Sequence, residues 1–145
     1  MEESRTCPVC GAKALHWCEE PLLEEFPEGV VAVDGFRYEK CDACGETLIS
    51  GRELPSLEWH SVARARTDFG RLTSDEIREM RFSLGLTQAG LEEQLGVSAG
   101  TVGRWERGEV LQGATADRLM RLLGAHPELL PELGYVAREG RGPYR

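Results

Sequence analysis

The sequence predicts an α+β protein of two domains: a small, metal-bound, β-rich first domain and an all-helical second domain. Three observations carry this. Two C-x-x-C-G knuckles, Cys7-Pro8-Val9-Cys10-Gly11 and Cys41-Asp42-Ala43-Cys44-Gly45, bracket a stretch containing β-branched and aromatic residues. Beyond residue 72, apolar residues recur at helical spacing in short runs cut by glycines. Charge is also divided unevenly. Residues 1–68 carry 7 basic and 14 acidic residues and residues 69–145 carry 10 and 11, so most of the net charge of −8 lies in the first half.

The chain has 145 residues, of which 41% are hydrophobic and 29% charged, enough for one ordinary domain or two small ones with a soluble composition. It contains no run of about 18 apolar residues, so no membrane-spanning helix is expected. The first 30 residues are acidic and lack the apolar core of a signal peptide. A cytoplasmic, reducing location is therefore the expectation. In such a compartment five cysteines favour metal over disulfides.

Residues 1–50 form the first domain. Two thiolates three positions apart grip one ion from a tight turn, and the glycine that follows lets the backbone curl so that its amides face sulfur. Together Cys7, Cys10, Cys41 and Cys44 complete a tetrahedral four-sulfur shell. Such a shell suits one structural Zn2+ per chain, with iron in a rubredoxin-like site as the alternative. A filled shell has no open coordination position, and no Ser/His/Asp or Cys/His spacing argues for catalysis, so no enzyme is expected. Cys18 is expected to be a buried, inert thiol. His16 is not needed as a ligand, and His60 is expected to be solvated or packed. Leu15-His16-Trp17 reads as the start of a short strand, residues 21–27 as an acidic connection, and residues 30–38 as a hairpin turning at Asp34-Gly35. With so few large apolar side chains, the metal must supply much of this domain's stability.

Residues 51–71 read as a linker, helical over 56–66 through Leu54, Leu57, Val62 and Ala65 and broken by Gly70. The second domain spans 72–133. Thr73 and Glu76 form a capping box for a first helix whose inner face is Ile77, Met80 and Leu84, ended by Gly85. Thr87 caps a second helix, with Ala89, Leu91 and Leu95 facing inward, and Gly96 ends it. Ser98 is expected to cap the third, with Val102 and Trp105 inward and Gly108 at its end. A fourth helix over 114–123 shows Ala116, Leu119, Leu122 and Leu123 as an apolar stripe closed by Gly124. Pro127 opens a fifth short helix. The tail over 134–145, with Arg138 and Arg141, is expected to be disordered.

Two helices joined by Leu95-Gly96-Val97-Ser98 have the layout of a helix-turn-helix, whose second helix enters the DNA major groove. The bland alternative is a helical module with no nucleic-acid partner. In Gly85-Leu86-Thr87-Gln88, Leu95-Gly96-Val97-Ser98 and Arg104-Trp105-Glu106-Arg107-Gly108 the domain resembles the Xre/Cro-type helix-turn-helix family over about 50 residues. That resemblance implies that Ser98, Ala99, Gly100, Thr101 and Arg104 face the bases and that Gln88 meets a phosphate. It also implies a buried ion pair, Arg81 with Glu106, between the first and third helices. Ala99 and Gly100 depart from the longer polar residues common in the family, so base reading falls to Thr101 and Arg104, with shape readout besides; Arg104 is expected on a guanine, with a phosphate contact as the rival reading.

The order of the whole chain is more specific than either half. Two knuckles, an Xre-type core and then His126-Pro127-Glu128-Leu129-Leu130 resemble the MqsA antitoxin family, a YgiT-type zinc finger followed by a helix-turn-helix. The resemblance implies a type II antitoxin. Its zinc domain would neutralise a toxin ribonuclease, and its helical domain would dimerise and repress its own promoter. The expected partners are thus a toxin, double-stranded operator DNA with two half-sites, and a second copy of the chain. The acidic first half suits a basic protein, and the nearly neutral second half predicts weak non-specific DNA binding. The alternative is a zinc-containing transcription regulator without a toxin. A small redox or metal-handling protein is the third reading, one that gives the helical domain no role.

Overall fold

A computed structural model describes residues 4–133. The tail over 134–145, expected to be disordered, lies outside the described residues. The chain divides into two compact units, Met1–Arg64 and Ala65–Arg145. The first is β-rich and carries a four-cysteine cluster, and the second is helical, so the α+β two-domain class holds.

The first unit contains β1 (Leu15–Cys18), β2 (Leu22–Phe26), β3 (Gly29–Val33), β4 (Tyr38–Cys41), β5 (Thr47–Leu48) and most of helix α1 (Leu54–Asp68). Strand β4 lies between β1 and β5 in an antiparallel sheet, with Leu15 opposite Cys41 and Cys18 opposite Tyr38. Strands β2 and β3 form a separate hairpin. This corrects the expectation of a hairpin over 30–38. The two-residue connection is Pro27-Glu28, with Phe26 paired to Gly29, while Asp34-Gly35 only carries the chain out of β3. The supposed acidic connection over 21–27 is therefore mostly strand. Alternation explains it, because Leu22, Val31 and Val33 are buried while Leu23 and Val30 point to the other face and are exposed. The cluster beside the sulfurs is small, with Leu15, Cys7 and Cys41 buried and Ala14 and Leu48 packed on them.

The second unit contains α2 (Ser74–Ser83), α3 (Gln88–Leu95), α4 (Thr101–Glu106), α5 (Ala114–Ala125) and a single 3-10 turn (Pro127–Leu129). Its core is Ile77, Leu91, Val102, Trp105 and Met120, with Leu72, Met80, Leu86, Leu95, Val97 and Val110 packed around it. Thr73 accepts from the Glu76 amide and Glu76 accepts from the Thr73 amide, which completes the capping box of α2. Helices α2, α3 and α4 each end on a left-handed glycine, Gly85, Gly96 and Gly108, where only a residue without a Cβ sits at no cost.

Three details differ from the sequence reading. Ser98 caps nothing. Helix α4 starts at Thr101 behind Gly100, whose φ of +85° makes a tight turn in which the Thr101 amide donates to the Ser98 carbonyl at 3.2 Å. Ala89 is exposed, leaving the inner face of α3 to Leu91, Glu92 and Leu95. On α5 the buried face is Asp117, Met120 and Leu123, while Leu122 is exposed; the helix runs through Gly124, where an added Cβ would meet the Met80 side chain at 3.1 Å. Gly124 thus serves the close approach of α2 and α5 and does not end the helix.

The segment over 51–71 is largely the 15-residue α1, and its last turn belongs to the second unit. Arg66 is buried there. Its Nε donates to Gln112 Oε1 at 3.1 Å, Nη2 donates to the Trp105 carbonyl at 2.8 Å, and Nη1 donates to the Ser74 hydroxyl.

Candidate functional site

The first candidate site is the sulfur cluster. The knuckles are built alike. The Gly11 amide donates to the Cys7 carbonyl at 2.9 Å and the Gly45 amide to the Cys41 carbonyl at 2.8 Å. The Cys7 and Cys41 amides each close the turn at 2.9 Å, on Ala12 and Glu46. Gly11 and Gly45 have φ of +76° and +78°, which the curl requires. The sheet then brings the knuckles together, because Arg5 bridges Leu15 on one side of β1 and Cys41 faces Leu15 on the other. The excursion through β2 and β3 spans the residues between.

The sulfurs of Cys7, Cys10, Cys41 and Cys44 all lie within 4.8 Å of one another. Cys7 is 3.8 Å from Cys44 and Cys10 is 3.7 Å from Cys41. A tetrahedral ion with metal–sulfur bonds of about 2.3 Å sets its ligands about 3.8 Å apart, so the set fits a four-thiolate ion. The thiols also titrate apart. The Cys44 amide, helped by the Ala43 amide and working against burial, pulls Cys41 down to about 7. The Glu46 amide lowers Cys44, but burial and the sulfurs of Cys10, Cys41 and Cys7 outweigh it and push Cys44 up to about 12. One thiolate forms readily and the next resists, as expected where negative sulfurs crowd a space shaped for a cation. Cys18 stands at the far end of β1, half-buried, with its thiol donating to the Tyr38 hydroxyl at 3.3 Å. His16 lies 3.4 Å from Asp42 and is outside the sulfur set. His60 is exposed, its ring edge-on to Phe36 and Trp59.

The second candidate site is the outer side of α4. Ser98, Ala99, Gly100 and Arg104 are exposed and Thr101 is half-buried, while Val102 and Trp105 hold the inner side. Arg81 and Glu106 meet in a buried bidentate pair, Nε to Oε1 at 2.6 Å and Nη2 to Oε2 at 3.1 Å, which ties α2 to α4. Gln88 joins them, its Nε2 donating to Glu106 Oε2 at 2.8 Å, so the side-chain donor that the resemblance assigns to a phosphate is turned onto a carboxylate. Burial pushes the Glu106 carboxyl up. Hydrogen bonds from Arg81 and Gln88 and the charges of Arg81 and Arg78 more than reverse this and hold it below the usual carboxylate range.

Several residues that organise this site carry no local signal in the sequence. Glu92 is buried on α3, and its carboxylate accepts from the Val102 amide at 3.0 Å, filling the capping role expected of Ser98. Gln112 is fully buried and donates to the Leu72 carbonyl at 2.7 Å and to Asp117 at 3.1 Å. Asp117 also accepts from the Leu72 amide at 2.8 Å and from Arg121 at 2.9 Å. Past the end of α4, Glu109 accepts from Arg107 Nε at 2.6 Å and lies 3.5 Å from Arg104 Nε.

The model of the antitoxin component of bacterial toxin–antitoxin systems, MqsA, matches residues 5–134. Antitoxin MqsA of Escherichia coli (strain K12) is 26% identical over 128 residues, an alignment covering 88% of this chain and 98% of the relative. The match takes in both knuckles and, among the described residues, every helix of the second unit. A sulfur cluster followed by a helical unit, matched along nearly the whole described chain, places the protein by descent as well as by architecture: it belongs to the MqsA family of antitoxin components of bacterial toxin–antitoxin systems.

Proposed function

We propose that this protein is a DNA-binding type II antitoxin in the cytoplasm, which neutralises a basic toxin ribonuclease through its first unit and, as a homodimer, represses its own promoter through its second. The ion in the four-cysteine cluster is a structural Zn2+, since four thiolates within reach of one point favour a soft, tetrahedral metal and leave it no open position. The protein is not an enzyme.

The observation that carries the DNA reading is the two-sidedness of α4. Its inner side is locked by Val102, Trp105 and the Arg81–Glu106 pair, while its outer side leaves Thr101 and Arg104 accessible. A helix that reads bases needs both, because a contact at a base edge is only as specific as the scaffold is stiff. Arg104 reads a guanine through two donated hydrogen bonds, a contact worth about 1–3 kcal/mol of discrimination, and Thr101 supplies a shorter contact. Ser98, Ala99 and Gly100 form the close-approach turn, and the start of α3 at Gln88 meets the backbone. With the second half nearly neutral, two copies on two half-sites about one helical turn apart provide the affinity that one lacks.

For the toxin, the support is a hairpin face and a charge. Leu23 and Val30 are exposed on one side of β2–β3, and no third strand joins that hairpin among the described residues. Glu19 and Glu20 precede it, Glu24, Glu25 and Glu28 lie within it, and together they would steer a cationic partner, an effect that salt weakens.

The test uses the full chain, because a cut near Gly70 would strip Arg66 from the helical unit. A Leu23→Glu/Val30→Glu double variant should lose capture of the neighbouring gene product and keep binding to the DNA upstream of its own gene. Arg104→Ala should keep capture and lose preference for that DNA over a random duplex. A uniform loss on all sequences would make Arg104 a phosphate contact. Loss of capture by Arg104→Ala, or retained capture by the hairpin variant, would overturn the division of labour.

A further inference from the structure

The exposed cations at the end of α4 are already engaged by an anion of the same chain. Helix α4 closes with the Gly108 amide donating to the Trp105 carbonyl at 3.1 Å and the Glu109 amide donating to the Arg104 carbonyl at 3.0 Å. Gly108, at φ +74°, turns the chain back so that Glu109 sits over the last turn. Its carboxylate takes Arg107 in a fork, Nε to Oε1 at 2.6 Å and Nη2 to Oε2 at 3.4 Å, and its Oε2 lies 3.5 Å from Arg104 Nε. All three side chains are about half exposed, at 56% for Arg104, 59% for Arg107 and 46% for Glu109. None of them props the core, so the cluster is not needed to hold the fold.

We propose that Glu109 is an autoinhibitory residue, an intramolecular stand-in for DNA phosphate that occupies Arg104 and Arg107 until a duplex displaces it. This rests on the DNA-binding reading above. A carboxylate fork on arginine has the geometry a phosphate would take. Any duplex, cognate or random, must displace the carboxylate and leave its negative charge beside a polyanion, so the cost of releasing Arg104 and Arg107 is common to both. Glu109 thereby weakens both by about the same factor and holds the weaker, non-specific binding down, while the guanine edge offered to Arg104 keeps the cognate site in use.

The experiment measures binding of full-length, metal-loaded protein to two duplexes, the DNA upstream of its own gene and a random sequence, across a salt series. Glu109→Gln keeps size and shape and removes the charge; Glu109→Ala removes the fork. Both should melt like the parent. Glu109→Gln should bind both duplexes about three- to ten-fold more tightly at low salt and steepen the salt dependence by about one unit of log K per log salt for each copy bound. Equal or weaker binding of both duplexes by both variants, with the parent binding normally, overturns the proposal and leaves the DNA reading standing. Failure of the parent to bind either duplex overturns both.

Discussion

The two units solve the same problem with opposite chemistry. Each must hold a short chain in one arrangement with few large apolar side chains. The first does so with four sulfurs around a cluster whose largest buried side chain is Leu15. The second does so with a five-residue apolar core ringed by buried, hydrogen-bonded charges: Arg66, Arg81, Glu92, Glu106 and Asp117. In the first, stability would be concentrated by the four cysteines on one bound ion, and Leu23 and Val30 are left exposed on the hairpin. In the second, it is spread over many partners, which stiffens α4 from beneath. A metal-centred unit should fail all at once, and a networked unit should fail in steps.

Removing the metal is the largest test of that contrast. Chelation, or Cys41→Ser, should unfold the first unit while the helical unit keeps its amide resonances and its melting transition. Apparent binding energies of structural zinc, about 10–16 kcal/mol, exceed anything so small a core can replace. Protons compete for the same sulfurs, so acid should release the ion. If both units melt together on chelation, they share a core and the contrast fails.

Within the helical unit the largest single effect should come from Arg81→Ala. Glu106 would then be buried with Gln88 as its remaining close donor, a loss of about 3–5 kcal/mol measured by denaturant unfolding. The pH dependence has a definite sign. Glu106 and Asp117 are both held below the ordinary carboxylate range, so the stability they contribute is complete above their unfolded values, near about pH 4. It drains as pH falls through their lowered folded values. Arg81→Ala should move the start of acid unfolding upward, and an unchanged acid profile would show that the pair contributes little.

What could be read from the sequence was local, and what could not was long-range. The knuckles were legible because thiolate spacing and a following glycine lie within five residues. The Thr73–Glu76 capping box was legible for the same reason. The hairpin was misplaced because Asp34-Gly35 is a stronger turn signal than Pro27-Glu28, and only the pairing of Leu22 with Val33 decides between them. On α5 the stripe was misread because Asp117 is polar yet buried, its charge answered by the Leu72 amide, Gln112 and Arg121. Nothing near Arg66 in the sequence marks its partner, because Gln112 lies 46 positions on. Arg66→Ala should therefore destabilise the helical unit by about 2–3 kcal/mol through the buried acceptors it abandons, chiefly Gln112 and the Val110 carbonyl. A change confined to the first unit would return residue 66 to the linker.

The smallest expected effects fall at the start of α4, and they separate a cap that sequence suggests from the one that geometry provides. Ser98 precedes the helix with a hydroxyl, yet the helix begins at Thr101 with no side-chain cap from Gly100. The Val102 amide, one of the first free donors, is answered instead by Glu92, reaching across from α3. A charged acceptor on a backbone amide contributes about 1.5–3 kcal/mol. Glu92→Ala should lose about that much, and Glu92→Gln, which keeps an acceptor oxygen, should lose less. Ser98→Ala should stay within about 0.5 kcal/mol of the parent, as an exposed side chain bearing no structural bond does. The same three variants assayed on DNA should divide differently, since Ser98 lies on the outer turn and Glu92 beneath it. Ser98→Ala is then expected to change affinity at constant stability, and Glu92→Ala to change both. Were Ser98→Ala instead to cost stability on the scale of Glu92→Ala, the helix would begin two residues earlier in solution, and Gly100 would not be the turn that sets where α4 starts.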